Sequence, residues 1–173
     1  ISMYEGIAYE SYNNEKWRKS FDYLPYKIKN KWNEQISKRK NQVNDDSKVF
    51  SNWQKSMTRI MNKIGIKFMA GTDTPIFFQT PGYSLHTELE VLVESGLTPI
   101  EAIESATYNP AIYFNMQNEL GLISEGYIAD LLILSKNPLE KISNTRKIEV
   151  VIKNGNYLNR KFLDSLLCNQ SKS

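Results

Sequence analysis

One carboxylate stands between two threonines in Gly71-Thr72-Asp73-Thr74-Pro75, directly after the apolar run Ile66 to Ala70. If that run is a short buried strand, Asp73 sits just past its C-terminal end, where α/β folds converge their loops over the active site. A carboxylate there is placed for proton transfer. The same residues are ordinary turn formers, so Asp73 and Thr74 also read as closing a strand-to-loop turn before Pro75. His86, the only histidine, lies thirteen residues further on, in the first turn of a helix that Ser84 would cap. It reads either as a substrate contact facing the pocket or as a helix-surface side chain bonded to neighbouring backbone. Cys168, the only cysteine, lies beside Leu166 and Leu167 and reads as a packed thiol. One cysteine excludes an intrachain disulfide framework and a cysteine-rich zinc site built by this chain alone.

The 173 residues suffice for one ordinary domain but fall short of the about 250 of a complete (β/α)8 barrel. A hydrophobic fraction of 40% with 12% aromatics predicts a folded, soluble protein. No run approaches the ~18 apolar residues of a membrane span, and no secretory pattern opens the chain. The chain begins at Ile1 without an initiator methionine, which fits a piece of a longer protein, and localisation is not legible from this end. Lys16 to Lys67 carries fourteen Lys or Arg against four Asp or Glu, leaving the remainder acidic. Interleaved with aromatics, such a segment offers phosphate and base contacts to nucleic acid; it equally describes the solvent side of helices that bury Trp and Tyr, which is the reading preferred here.

The elements that would hold these residues follow from periodicity. Ile1 to Tyr12 reads as the remnant of a strand and loop. Glu15 to Val43 is helical with a break at Pro25. Asn44 to Ser47 is a turn and cap for a helix whose Val49, Phe50, Trp53, Met57, Ile60, Met61 and Ile64 form one apolar face, closed by Gly65. That helix delivers the chain into the Ile66 to Gly71 strand. The loop 72–83 is proline-bearing and partly apolar, suited to covering a pocket. A helix from Ser84 presents Leu85, Leu89, Leu92 and Val93, and Thr98-Pro99-Ile100-Glu101 is a capping box that starts another. Beyond Asn115 the chain turns to strands: 129–134, then 147–153 joined through Asn154-Gly155 to 156–159, a small β module. Arg160 to Leu167 closes as a helix with a polar tail.

The succession Gly71-Thr72-Asp73-Thr74-Pro75, Pro81-Gly82-Tyr83-Ser84-Leu85-His86-Thr87-Glu88-Leu89 and Leu92 to Ala102 resembles the C-terminal part of the amidohydrolase superfamily, in its imidazolonepropionase-like and prolidase-like branch. Ala106-Thr107-Tyr108-Asn109-Pro110-Ala111, Leu120 to Leu131, Asn137-Pro138-Leu139 and the Val150 to Gly155 hairpin extend the resemblance over about residues 60 to 160. It implies an α/β fold: the C-terminal portion of a (β/α)8 metal-dependent hydrolase barrel (1–115, with a helical insertion at about 15–46), part of a small β-sandwich (116–160), and a terminal helix and tail (161–173).

The resemblance further implies that Asp73 is both metal ligand and catalytic base in the hydrolysis of a carbon–nitrogen bond, in a cyclic amide or a dipeptide. The divalent metal is zinc by the same resemblance. Asp130 is structural in it. The family's His-x-His pair and its other ligands have no counterpart here, since His86 is the only histidine. The chain is therefore expected to be inactive alone and to bind no metal tightly. Its expected partners are the rest of the parent chain, a small amide or dipeptide substrate, and a second copy through uncovered apolar faces; neither membrane nor nucleic acid is expected.

Overall fold

In the computed structural model, which describes residues 1–39 and 45–170, helices dominate and three strands form one small sheet. The helices are α1 (Ser2–Ala8), α2 (Glu15–Ser20), α3 (Tyr26–Arg39), α4 (Asp45–Lys63), α5 (Tyr83–Glu94), α6 (Pro99–Ala106), α7 (Tyr108–Tyr113) and α8 (Arg160–Gln170). The strands β1 (Leu131–Leu134), β2 (Ile148–Lys153) and β3 (Asn156–Asn159) pair antiparallel in that order. Among the described residues no helix is long and apolar enough to cross a membrane. The expected helix end at Val43, the cap at Asn44, the side chain of Cys168 and the last three residues of the polar tail lie outside the described residues.

Among the described residues two apolar cores hold the molecule. Tyr12, Trp17, Phe21, Leu24, Trp32 and Ile36 close around Phe78, which brings α2 and α3 onto the loop that follows Asp73. Rings meet edge-on or tilted at 4.8 Å (Tyr12–Phe78), 5.1 Å (Phe21–Trp32) and 5.7 Å (Trp32–Phe78), contacts worth about 0.5–1.5 kcal/mol each beyond their buried area. The helical segment 15–39 is thus the cover of that loop. The second core gathers Leu89, Leu92, Leu97, Ala102 and Ile142, joining α5, α6 and the turn before β2. Thr98 and Glu101 form the expected capping box, with Glu101 N–H donating to Thr98 Oγ1 at 3.3 Å and Thr98 N–H to Glu101 Oε2 at 2.7 Å. The expected hairpin is present: Asn154 (φ 50°) and Gly155 (φ 77°) are both left-handed, as a two-residue turn matching strand twist requires.

Four expectations give way. Ile1 to Tyr12 holds helix α1, whose small buried residues Ser2, Gly6 and Ala8 let it lie close to its neighbours; a Cβ on Gly6 would stand 3.2 Å from the Trp17 ring. A contact face made of small residues carries no hydrophobic periodicity to read. Ile66 to Gly71 is extended but forms no strand, because no strand among the described residues offers it a ladder. Alternation survives over its second half: Phe68 and Ala70 turn toward the second core, while Lys67 and Met69 are exposed. In α4 the apolar face forms as expected yet points outward, with Val49 67%, Trp53 54% and Ile64 70% exposed. Its polar side is turned in instead, held by Ser51 Oγ to Glu5 Oε2 at 2.6 Å and by Lys55 Nζ to Glu5 at 2.8 Å. Finally β1, expected to be buried, is an edge strand exposing Leu132 and Ile133.

Candidate functional site

Asp73 opens a tight loop in an unusual backbone state. Asp73 (φ 53°), Phe77 (φ 46°) and Phe78 (φ 66°) are all left-handed, although none is glycine. Such residues cost on the order of 1–3 kcal/mol each and persist only where surroundings hold them. The holding contacts are specific. Ile76 N–H donates to the Asp73 carbonyl at 3.1 Å, and Thr74 Oγ1 donates to the Gln79 carbonyl at 2.5 Å. Trp17 Nε1 donates to the Phe78 carbonyl at 3.0 Å, and Ser84 Oγ accepts from Thr80 N–H at 2.8 Å. Ser84 is therefore one position inside α5, behind Gly82 at the cap, and serves the loop. The result is an exposed Asp73 carboxylate on a loop pinned from both sides.

Beyond Asp73 the loop and α3 enclose a hollow of about 400 Å³ lined by Lys31, Trp32, Lys38, Arg39 and residues 75–78. The basic stretch at Lys38-Arg39 thus partly faces the loop, which spacing along α3 alone does not disclose. Elsewhere the basic segment is laced with acids, as in Lys19–Glu15 at 2.9 Å and Lys48–Asp45 at 3.5 Å.

His86 lies on α5 against the turn Ile142–Arg146, its Nδ1 3.0 Å from Thr145 Oγ1. Burial, aided by the Arg146 charge and opposed by Glu90, lowers its pKa from 6.5 to about 4, so the ring is neutral at pH 7. No hydrogen bond or ion pair joins it to Asp73 among the described residues. Sequence reasoning passed over its neighbour Arg146. That guanidinium meets Glu90 at 2.9 Å and Thr87 Oγ1 at 2.8 Å and stacks 4.3 Å from the Tyr83 ring centroid, fastening the β module to α5. Only the fold brings Arg146 to Glu90, so no spacing could signal it. Asp130 accepts from Asn154 N–H at 2.6 Å and pairs with Lys153, bracing the hairpin; Lys153 first, then the backbone bond, lowers its pKa.

Among the described residues no three His, Cys, Asp or Glu side chains gather where they could hold a metal ion. Asp73 offers one oxygen donor, and a catalytic zinc takes three protein ligands. The residues present therefore do not make a metal site by themselves.

The model of the "Amidohydrolase family" matches residues 29–158. An ochratoxinase of Aspergillus niger is 43% identical over 82 residues, covering 46% of this chain and 16% of that protein. An adenine deaminase of Mesorhizobium japonicum is 46% identical over 43 residues, 25% of this chain and 7% of that protein. Among solved structures, an Xaa-Pro dipeptidase with methionine bound in its active site superposes with a TM-score of 0.55 at 31% identity, over 61% of this chain and 25% of that one. The chain thus spans a quarter or less of the length of these relatives.

Proposed function

The chain belongs to the amidohydrolase family, and from that premise we propose that it is the C-terminal part of a hydrolase that cleaves a carbon–nitrogen bond, with Asp73 as its contribution to the catalytic centre. The observation that carries this reading is Asp73 itself: an exposed, left-handed carboxylate at the head of a loop that α2, α3 and α5 hold in a costly conformation. In this reading residues 1–115 belong to a (β/α)8 barrel with an insertion at about 15–46, and 116–160 belong to a small β-sandwich completed by other parts of the protein. The unpaired Ile66–Gly71 segment takes its place as a barrel strand when neighbouring strands are supplied.

Asp73 accepts a proton from the attacking water and returns it to the departing nitrogen, the work of a general base and acid at one carboxylate. A divalent metal, zinc in the family chemistry, supplies acidified water when bound; Asp73 would be one of its ligands, and the others would come from outside this chain. A dipeptide is favoured over a cyclic amide by the likeness to the Xaa-Pro dipeptidase. His86 has its Nδ1 engaged by Thr145, which leaves only Nε2 to meet a substrate, and its role in this proposal is secondary to Asp73. The outward apolar face of α4 receives the remainder of the parent chain, and without it a second copy.

The test is amide hydrolysis by the full-length protein carrying Asp73→Asn. An exposed carboxylate-to-amide change leaves the fold intact and removes the base, so turnover falls by about 10²–10⁴. Unchanged turnover removes Asp73 from the centre.

A further inference from the structure

We propose that the hollow between α3 and the loop 75–78 is a subsite for the carboxylate of the substrate together with the apolar or aromatic group beside it. The proposal deepens the reading given above and depends on it, because the hollow begins two residues past Asp73.

The loop builds the apolar half. Two successive left-handed residues turn Phe78 inward, 2% exposed against Trp32, and leave Phe77 facing outward, 40% exposed. Phe78 and Trp32 meet edge-to-face at 86° and 5.7 Å, a rigid base. Ile76 beside them is 45% exposed, so the hollow presents an apolar wall that water covers poorly. Helix α3 builds the charged half. Lys31 and Lys38 are seven residues apart, on one side of the helix. Arg39 follows, its Cζ 5.4 Å from the Phe77 ring centroid.

Among the described residues no carboxylate lines the hollow and none forms an ion pair with Lys31 or Arg39. Lys38 pairs with Glu34 at 2.6 Å, but both ends are exposed, and such a pair yields readily to a better-placed anion. Its volume of about 400 Å³ suits a small organic ligand. An inorganic anion would satisfy the cations and leave Ile76 and Phe77 bare. An organic carboxylate with an adjoining apolar group uses both halves, the guanidinium offering it a two-point fit. In an amide hydrolase, that is a substrate with a free carboxylate near the scissile bond.

The experiment titrates the ¹⁵N-labelled protein with N-acetyl-phenylalanine and, separately, with its neutral carboxamide. The acid is expected to give saturating shifts at the Trp32 indole and at the amides of Lys31 and Phe77; the carboxamide is not. Lys31→Gln and Arg39→Gln should each raise Kd about two- to fivefold, the measure of one partly exposed charge contact. Both are surface changes, and Phe77→Ala, also exposed, should weaken binding without any change of charge. Absence of saturation at millimolar probe, an equal response to the carboxamide, or shifts confined to another surface would overturn the subsite. Asp73→Asn separates the two claims. Loss of turnover in that variant with no acid-specific binding leaves the hydrolase reading standing and removes the subsite. Acid-specific binding at α3 with turnover indifferent to Asp73 does the reverse.

Discussion

Trp17 reaches across from α2 to donate its indole N–H to the Phe78 carbonyl, 3.0 Å away and sixty-one residues on in the chain. This one bond ties the N-terminal helices to the strained loop that starts at Asp73. Trp17→Phe keeps a ring in the core and removes the donor, leaving a buried carbonyl without its partner. The expected loss is about 1–3 kcal/mol in urea unfolding, with exchange of the Gln79 amide, bonded to the Ile76 carbonyl, accelerating beyond the average. A stability equal to that of the parent would show the bond to be dispensable.

His86 makes stability depend on acid. Its folded pKa is lowered to about 4 from 6.5, chiefly by burial. Since the unfolded chain binds the proton more readily, the stability it lends is fully present above pH 6.5 and is lost as pH falls toward 4. The difference amounts to roughly 1–3 kcal/mol after allowance for its partial exposure. His86→Gln, which keeps a partner for Thr145 and cannot ionise, should flatten the slope of unfolding free energy between pH 4 and 6.5. An unaltered slope would place the titration elsewhere.

These two residues also mark how much the sequence discloses. The Thr98–Glu101 capping box, the Asn154-Gly155 hairpin and the Pro25 break are local, and each is legible because its physics lies within a few residues. Asp73 was legible as a candidate by its place after an apolar run. The Trp17–Phe78 and His86–Thr145 contacts span about sixty residues and leave no periodic trace. Helix α1 was missed because the residues it buries are serine, glycine and alanine. The α4 face was read correctly as apolar, but which side is covered depends on what packs there, and that is not a property of the helix.

Gly121 is confined twice over. Its φ is 92°, and a Cβ would stand 2.9 Å from the Tyr108 Cα and 3.0 Å from the Thr107 carbonyl. Backbone cannot yield as a flexible side chain can, so Gly121→Ala should cost about 2–4 kcal/mol by thermal or urea unfolding. Gly126, also left-handed but with nothing within 4 Å, should lose only about 1 kcal/mol to alanine. Equal losses at both would contradict the crowding at Tyr108.

The outward face of α4 should drive association of this chain. Val49, Trp53, Ile60 and Ile64 are each more than half exposed and share one helix face. Trp53→Glu with Ile60→Lys is expected to shift the molecular mass by light scattering from oligomer to monomer while leaving helix content unchanged. A parent chain that is already monomeric at high concentration would mean that this face needs no cover.

Whether Asp73 serves as the base is read from the rate of amine release from a panel of dipeptides and cyclic amides by the full-length protein, before and after Asp73→Asn. The substitution is expected to lower kcat by about 10²–10⁴ with an unchanged circular dichroism spectrum. A folded Asp73→Asn protein that turns over its substrate at the parental rate would contradict that role.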